Sequence, residues 1–205
     1  MLKTVLFIAF VGHIICGICD CLLSYSPGGR LDLKGALKSS DRMREVFKDY
    51  PIKWSLISIM LGVFAITMFG FGCLELSKWM AEYSQTASVI MYISSVVFLI
   101  PIVVHHIICG LVEWLYVRLG RTDEARETAL EFQKKTIATM IVGYLGLLIF
   151  LVTLFVMVIT GRTSLSPWAC VLNTLPLMVL LAPTKLPAKG NIAGAVMYLG
   201  LFILL

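Results

Sequence analysis

The chain has 205 residues, of which 59% are hydrophobic and 14% charged, and its mean hydropathy is +0.93. Those values exclude an ordinary soluble domain and place it with integral membrane proteins. The net charge of +5 is not an argument for nucleic acid, because the basic residues gather in particular loops and no P-loop, dinucleotide fingerprint or zinc-protease helix is present.

A bilayer crossing takes roughly 20 mostly apolar residues. Six stretches qualify, at about 2–24, 53–79, 86–117, 137–160, 167–183 and 191–205. The fold expected is an all-α integral membrane protein with six transmembrane helices in one domain. The fifth and sixth are the weakest, since Pro176 interrupts one and the other is short.

The first stretch, after Lys3, has the look of a signal peptide. It has no small-residue cleavage site, so it is expected to remain as the first span. It contains His13-Ile-Ile-Cys16-Gly17 followed by Asp20, and the third stretch contains His106-Ile-Ile-Cys109-Gly110 followed by Glu113. Ionisable groups are expensive inside a membrane, so repeating the set points to a polar site made by duplication. The echo continues: Gly29-Arg30-Leu31-Asp32 follows the first copy, and Gly120-Arg121-Thr122-Asp123 the second. Each then enters a charged segment with apolar residues at helical spacing. Leu37, Met43, Val46 and Phe47 mark one, and Ala125, Ala129 and Phe132 the other, the latter opened by Thr122 as N-cap. These read as amphipathic helices at the membrane surface. Two parallel repeats, at about 1–84 and 86–165, each comprise a span, an interfacial helix and a span. A C-terminal helix pair, 167–205, is appended. Parallel repeats would bring the two motif helices to equal depth.

Arg30, Lys34, Lys38, Arg42, Arg44, Lys48 and Lys53 lie in or beside loop 25–52. Arg118, Arg121, Arg126, Lys134 and Lys135 lie in loop 118–136, and Lys185 and Lys189 in loop 184–190, leaving Lys3, Lys78 and Arg162 elsewhere. The positive-inside rule puts those three loops in the cytoplasm and the N-terminus outside. All six cysteines fall in apolar spans, where they act as small buried hydrophobes rather than disulfide partners.

Within each motif the histidine and the acid are seven residues, or about 10 Å, apart on one helix face. They can line one cavity at two depths but cannot share one metal ion. A metal site is open in another way: His13, Cys16, His106 and Cys109 could converge, if the helices lie level, as a set suited to zinc or copper(I). No other cofactor is expected. His105 points about 100° away from His106, and Glu75 has Lys78 beside it as a surface partner. Asn173, three residues before Pro176, is a further ligand-binding candidate, because broken helices tend to line cavities. Asp20 and Glu113 either face such a cavity or pair with Arg30, Arg118 or Arg121 at the interface.

Gly17-Ile-Cys-Asp20-Cys-Leu-Leu-Ser-Tyr25, with Trp54-Ser-Leu56 and Ser166-Pro-Trp168, resembles an uncharacterised bacterial family of small polytopic membrane proteins. That family has a Gly-x-x-Asp-x-Leu-Leu pattern ending its first helix. The resemblance implies a bacterial cytoplasmic membrane and marks Asp20, and it carries no activity. At the level of fold the chain is also similar to the sterol isomerase and sigma-2 receptor group, whose compact bundles keep acids and histidine in an intramembrane pocket, although no motif matches residue by residue.

Three functions follow. A binding or transport protein would hold a small lipophilic or cationic ligand, or a proton, at His13, Asp20, His106, Glu113 and Asn173, and as a transporter would call for a homo-oligomer. An intramembrane acid/base enzyme would act on a lipophilic substrate, with a histidine within hydrogen-bond reach of an acid. A structural subunit would pack the motif interface solid. Beyond these the partners are membrane lipids.

Overall fold

The computed structural model describes residues 1–30 and 39–205; Leu31, Asp32, Lys34, Leu37 and Lys38 lie outside the described residues. The chain is nearly all helix. α1 spans Leu2–Ser24 and leads into a short hairpin, β1 (Tyr25–Ser26) against β2 (Gly29–Arg30), turned at Pro27 and Gly28 and followed by Gly29 at φ +119°. After α2 (Ser40–Phe47) come α3 (Lys53–Met80), α4 (Gln85–Arg118), α5 (Asp123–Lys135) and α6 (Ala138–Ile159). A 3-10 turn (Pro167–Leu172), α7 (Thr174–Leu181) and α8 (Lys189–Leu204) complete the chain.

Four helices are long and apolar enough to cross a membrane: α1, α3, α4, and α6 with α5 leading into it. The expected fifth and sixth spans have a different character. One is broken at Asn173 into a 3-10 turn and an eight-residue helix, and the other has 16 residues, about 24 Å against the roughly 30 Å of a hydrocarbon core. The break is capped. Asn173 Oδ1 accepts from Leu175 N–H at 2.9 Å and its Nδ2 donates to Leu151 O at 2.9 Å. Pro176 falls in the first turn of α7, where a missing N–H costs little.

α3 lies between α1 and α4, and α4 packs on α6. The 3-10 turn and α7 lead from α6 to α8, which returns against α1, so the helices close into a ring. Glycines allow the tightest contacts. A Cβ at Gly12 would come within 2.8 Å of Ala65 O, and one at Gly146 within 2.7 Å of Phe98 N, so these backbones touch as small residues in membrane helices allow. α1 and α4 both run antiparallel to α3. Gly12 faces Ala65 while Cys19 O accepts from Ser58 Oγ, and Phe98 stacks near Phe69 while His106 reaches Ser58.

At the end of the bundle carrying the basic loops, α2 and α5 form as expected. Ser39 Oγ caps α2 by accepting from Arg42 N–H, and Thr122 Oγ1 caps α5 by accepting from Ala125 N–H. They are tied to each other and to the bundle by Arg44 with Asp123 at 3.3 Å and by Arg121 Nε donating to Phe47 O at 2.7 Å. Met43, Val46, Phe47 and Tyr50 pack there against Tyr116 and Val117.

Candidate functional site

The ring encloses a cavity of about 860 Å³. Its walls are mostly apolar, with Ile66, Phe69, Phe98, Ile102, Leu147 and Leu151 among them. One polar wall carries His13, Asp20, His106 and Asn191.

These four residues form a chain across three helices. His13 Nδ1 donates to Asn191 Oδ1 at 3.0 Å, and Asn191 Nδ2 donates to Asp20 Oδ2 at 2.7 Å. Asp20 Oδ1 faces His106 Nδ1 at 3.9 Å, and His106 Nε2 lies 3.0 Å from Ser58 O. The hydrogen positions follow from the partners. A carbonyl oxygen only accepts, so His106 carries a proton on Nε2 and His13 carries one on Nδ1. His106 Nδ1 and Asp20 Oδ1 then attract only with one proton between them, held by either group. At 3.9 Å that pair is too long for a direct hydrogen bond.

Each motif histidine is seated by a glycine on a neighbouring helix. A Cβ at Gly62 of α3 would fall on the His106 ring, and one at Gly194 of α8 would fall on the His13 ring. His13 also stacks on Phe69, with ring centroids 4.3 Å apart, and on Tyr198 at 5.4 Å. Tyr198 is itself fixed by Cys73 Sγ, 3.2 Å from its hydroxyl.

The two copies of the motif are not level. Cys19 and His106 both meet Ser58 on α3, whereas His13 meets Phe69. The position on α1 level with His106 is therefore Cys19, six residues beyond His13, an offset of about 9 Å. The expected metal set fails for that reason: His13 and Cys16 lie a turn and a half from His106 and Cys109. Cys109 Sγ instead lies 3.5 Å from His105 Nε2. Among the described residues no three His, Cys, Asp or Glu side chains gather as a metal ion would need. The expected two tiers become a staircase, with His13 on one step, Asp20 and His106 on the next, and Glu113 beyond them.

Glu113 borders the same cavity close to the basic end and is buried. Its Oε2 is 3.2 Å from Tyr50 Oη, which also lies 3.0 Å from Leu22 O and 3.1 Å from Ser55 Oγ. Burial, with Glu113 next to it, pushes the Tyr50 hydroxyl well above its usual pKa, so it keeps its proton to donate. Among the described residues neither acid pairs with an arginine; Arg30 reaches Lys185 O and Arg121 reaches Phe47 O. His105 faces α6, with Thr139 Oγ1 3.4 Å from its Nδ1, while His106 faces α3. Asn173 has both ends of its amide engaged in the helix break and does not border the cavity.

Asn191, Ser58, Tyr50 and Tyr198 are site residues that sequence reasoning missed. Asn191 had a usable signal: with Asn173 it is one of two asparagines in the chain, and it opens an apolar helix rich in small residues. Ser58 and Tyr50 had none, because their roles come from which carbonyl or carboxylate the fold sets opposite them.

Residues 1–204 match the model of a family described as a family of unknown function (DUF6796), and the chain belongs to it. No curated protein and no solved structure matches the chain.

Proposed function

For a member of a family with no assigned activity, the cavity is the guide, and we propose that the protein binds a small amphiphile inside the membrane, with its apolar body against Ile102, Leu147 and Leu151 and a cationic or hydrogen-bond-donating end at Asp20. The observation carrying this reading is the cavity of about 860 Å³, lined mostly by apolar side chains with the chain of His13, Asn191, Asp20 and His106 along one side, the usual character of a small-molecule site. Asp20 is prepared for a donor. Asn191 fixes Oδ2, while Oδ1 keeps a 3.9 Å gap to His106 and the side chain is 36% exposed. A ligand ammonium or hydroxyl can enter that gap and form a charge-assisted hydrogen bond. Glu113, toward the basic end of the same wall, is engaged by Tyr50, which leaves Asp20 as the acid that meets the ligand.

In this reading the chain crosses a bacterial cytoplasmic membrane six times, with the fifth crossing broken at Asn173. The N-terminus is outside and the basic end is cytoplasmic. The two motif units descend from a duplication whose copies have since moved out of register.

The test uses the full chain in phosphatidylcholine nanodiscs. The probe is a dansyl-tagged long-chain alkylamine with a free terminal amine, compared with its hydroxyl-ended counterpart. Saturable fluorescence enhancement is expected for the amine. Asp20→Asn should weaken binding by about tenfold or more, equivalent to about 1.4 kcal/mol, and Leu147→Trp should abolish binding by filling the cavity. Absence of saturable binding to the parent chain, or binding indifferent to both substitutions, rejects the reading.

A second reading is supported by one distance. His106 Nδ1 and Asp20 Oδ1 face each other across 3.9 Å at the cavity wall, a spacing at which a substrate can exchange protons with both, as acid/base isomerisation of a lipophilic substrate requires. The structural-subunit reading has the cavity against it, because it needs a solid interface.

A further inference from the structure

We propose that the ligand reaches the cavity sideways from the bilayer, through a gap between α6 and α7 near the basic end, so that the ligand class is a membrane-dissolved amphiphile rather than a water-borne metabolite. The proposal rests on the ligand-binding reading above. Three features of the ring lead to it.

The end of the cavity away from the basic loops is blocked by packed rings. Phe69 stacks on His13 and near Phe98, Tyr198 is buried between His13 and Cys73, and Phe150 is buried on α6. The basic end is crossed by the two amphipathic helices: Met43 and Phe47 of α2 and Ala129 and Leu130 of α5 all border the cavity. Arg44 with Asp123, and Arg121 with Phe47 O, hold those helices in place.

The side wall between α6 and α7 is different. The hydrogen bond from Asn173 Nδ2 to Leu151 O joins the two there, and nearer the basic end no hydrogen bond among the described residues links α7 to α6. Tyr144 and Leu148 on α6 and Met178 on α7 border the cavity and yet are 55%, 46% and 36% exposed. Tyr144 and Leu148 stand six and ten residues from the start of α6, about 9 and 15 Å along it. That depth lies within the roughly 30 Å of hydrocarbon. A helix as short as α7, eight residues with a 3-10 turn before it, leaves the neighbouring stretch of α6 uncovered. Lipid chains therefore meet the cavity there, between an aromatic and two aliphatic side chains, while Lys189, which also borders the cavity, is held just past the end of α7 by donating to Ala182 O at 2.8 Å.

Stopped-flow mixing of the same dansyl alkylamine with nanodisc-embedded protein separates the routes. Leu148→Trp and Met178→Trp narrow the gap and should slow both association and dissociation by about fivefold or more, changing the equilibrium constant less than either rate. Leu148→Ala should speed both. Arg44→Ala, which loosens the helices across the basic end, should leave both rates as they are. Saturable binding whose rates ignore the gap substitutions, or rise with Arg44→Ala, overturns sideways access and leaves the ligand cavity standing. Absence of saturable binding to the parent chain overturns both.

Discussion

The fit of His106 into Gly62 allows the site to be perturbed from the helix behind it. Alanine at position 62 would put a methyl group on the imidazole: besides overlapping the nearest ring atoms, its Cβ would come within 2.8 Å of Cε1. Carbon atoms prefer about 3.5 to 4.0 Å, so the ring must retreat by about 1 Å or more, and the 3.0 Å contact of Nε2 with Ser58 O cannot survive that shift. Overpacking costs about 1 to 3 kcal/mol, and a lost internal hydrogen bond adds about 1 kcal/mol. The better helix propensity of alanine offsets up to about 1 kcal/mol of this, leaving a net loss of about 1 to 3 kcal/mol. A double-substitution cycle isolates the cause. His106→Ala removes the ring that Gly62→Ala strikes, so the double variant should be more stable than the sum of the single effects predicts, by at least about 1 kcal/mol. Denaturant unfolding in detergent measures the cycle, and Gly190→Ala serves as control because a Cβ there has nothing within 4 Å. Additive effects at 62 and 106 would show that the glycine does not seat the histidine.

The other seat should behave likewise. Gly194→Ala is expected to displace His13 from Asn191 and weaken alkylamine binding, whereas Gly17→Ala, whose Cβ would have its nearest contact at 3.5 Å, should not; equal effects on probe affinity would contradict this. Tyr50→Phe removes the hydroxyl shared by Leu22 O, Ser55 and Glu113 and should lower stability by about 1 to 3 kcal/mol because buried polar atoms of Leu22 and Glu113 lose that partner; an unchanged unfolding midpoint counts against it. Asp123 is held below the ordinary carboxylate range, first by a hydrogen bond from Ser40 and then by Arg44. Its contribution is therefore present above its unfolded pKa, about 3.9, and is lost as pH falls through the lower folded value. Acidification through that window should raise hydrogen exchange at the start of α5 in the parent chain and less in Asp123→Asn; equal rises in both would refute the assignment.

Much of the architecture was legible in the sequence because hydrophobicity records it directly. The second span, expected at 53–79 and found at Lys53–Met80, and the amphipathic α2 and α5, the latter with its Thr122 cap, follow from local pattern and capping chemistry, whereas the Ser39 cap of α2 is seen only in the structure. Asn173 was correctly placed at a break, but its role there is structural: an asparagine before a helix is both a cap and a donor, and both capacities are used. The partnership of Asp20 with Asn191, 171 residues away, was out of reach, since it is set by how α8 returns against α1. Depth was out of reach for the same reason. Identical pentapeptides suggest equal heights, but the height of each helix is decided by what it packs on: the two motif histidines meet α3 at different places, His13 at Phe69 and His106 at Ser58.

In the proposed reading, the offset between the two motifs is what makes the site usable. With the motif helices level, each histidine would stand opposite the other, and both acids would be about 10 Å away along the axis. Shifted by about 9 Å, the second histidine comes beside the first acid, and a carboxylate from one copy meets an imidazole from the other across the cavity wall. His13, left without an acid of its own, is connected to the same carboxylate through Asn191, a residue from outside both copies. The two motifs are accordingly unequal: Asp20 faces the cavity between Asn191 and His106, while Glu113 is buried against Tyr50. Exchanging the acids should expose that inequality. Asp20→Glu adds a methylene that drives the carboxylate into the 3.9 Å gap toward His106, closing the space a ligand donor would use, and alkylamine affinity should fall by about tenfold. Glu113→Asp withdraws the carboxylate from Tyr50 by about one bond length, away from the ligand position, and should lower stability by about 1 kcal/mol while leaving affinity within about twofold. If the two exchanges instead weaken binding equally, the acids act as a symmetric pair, and the unequal roles assigned to them are wrong.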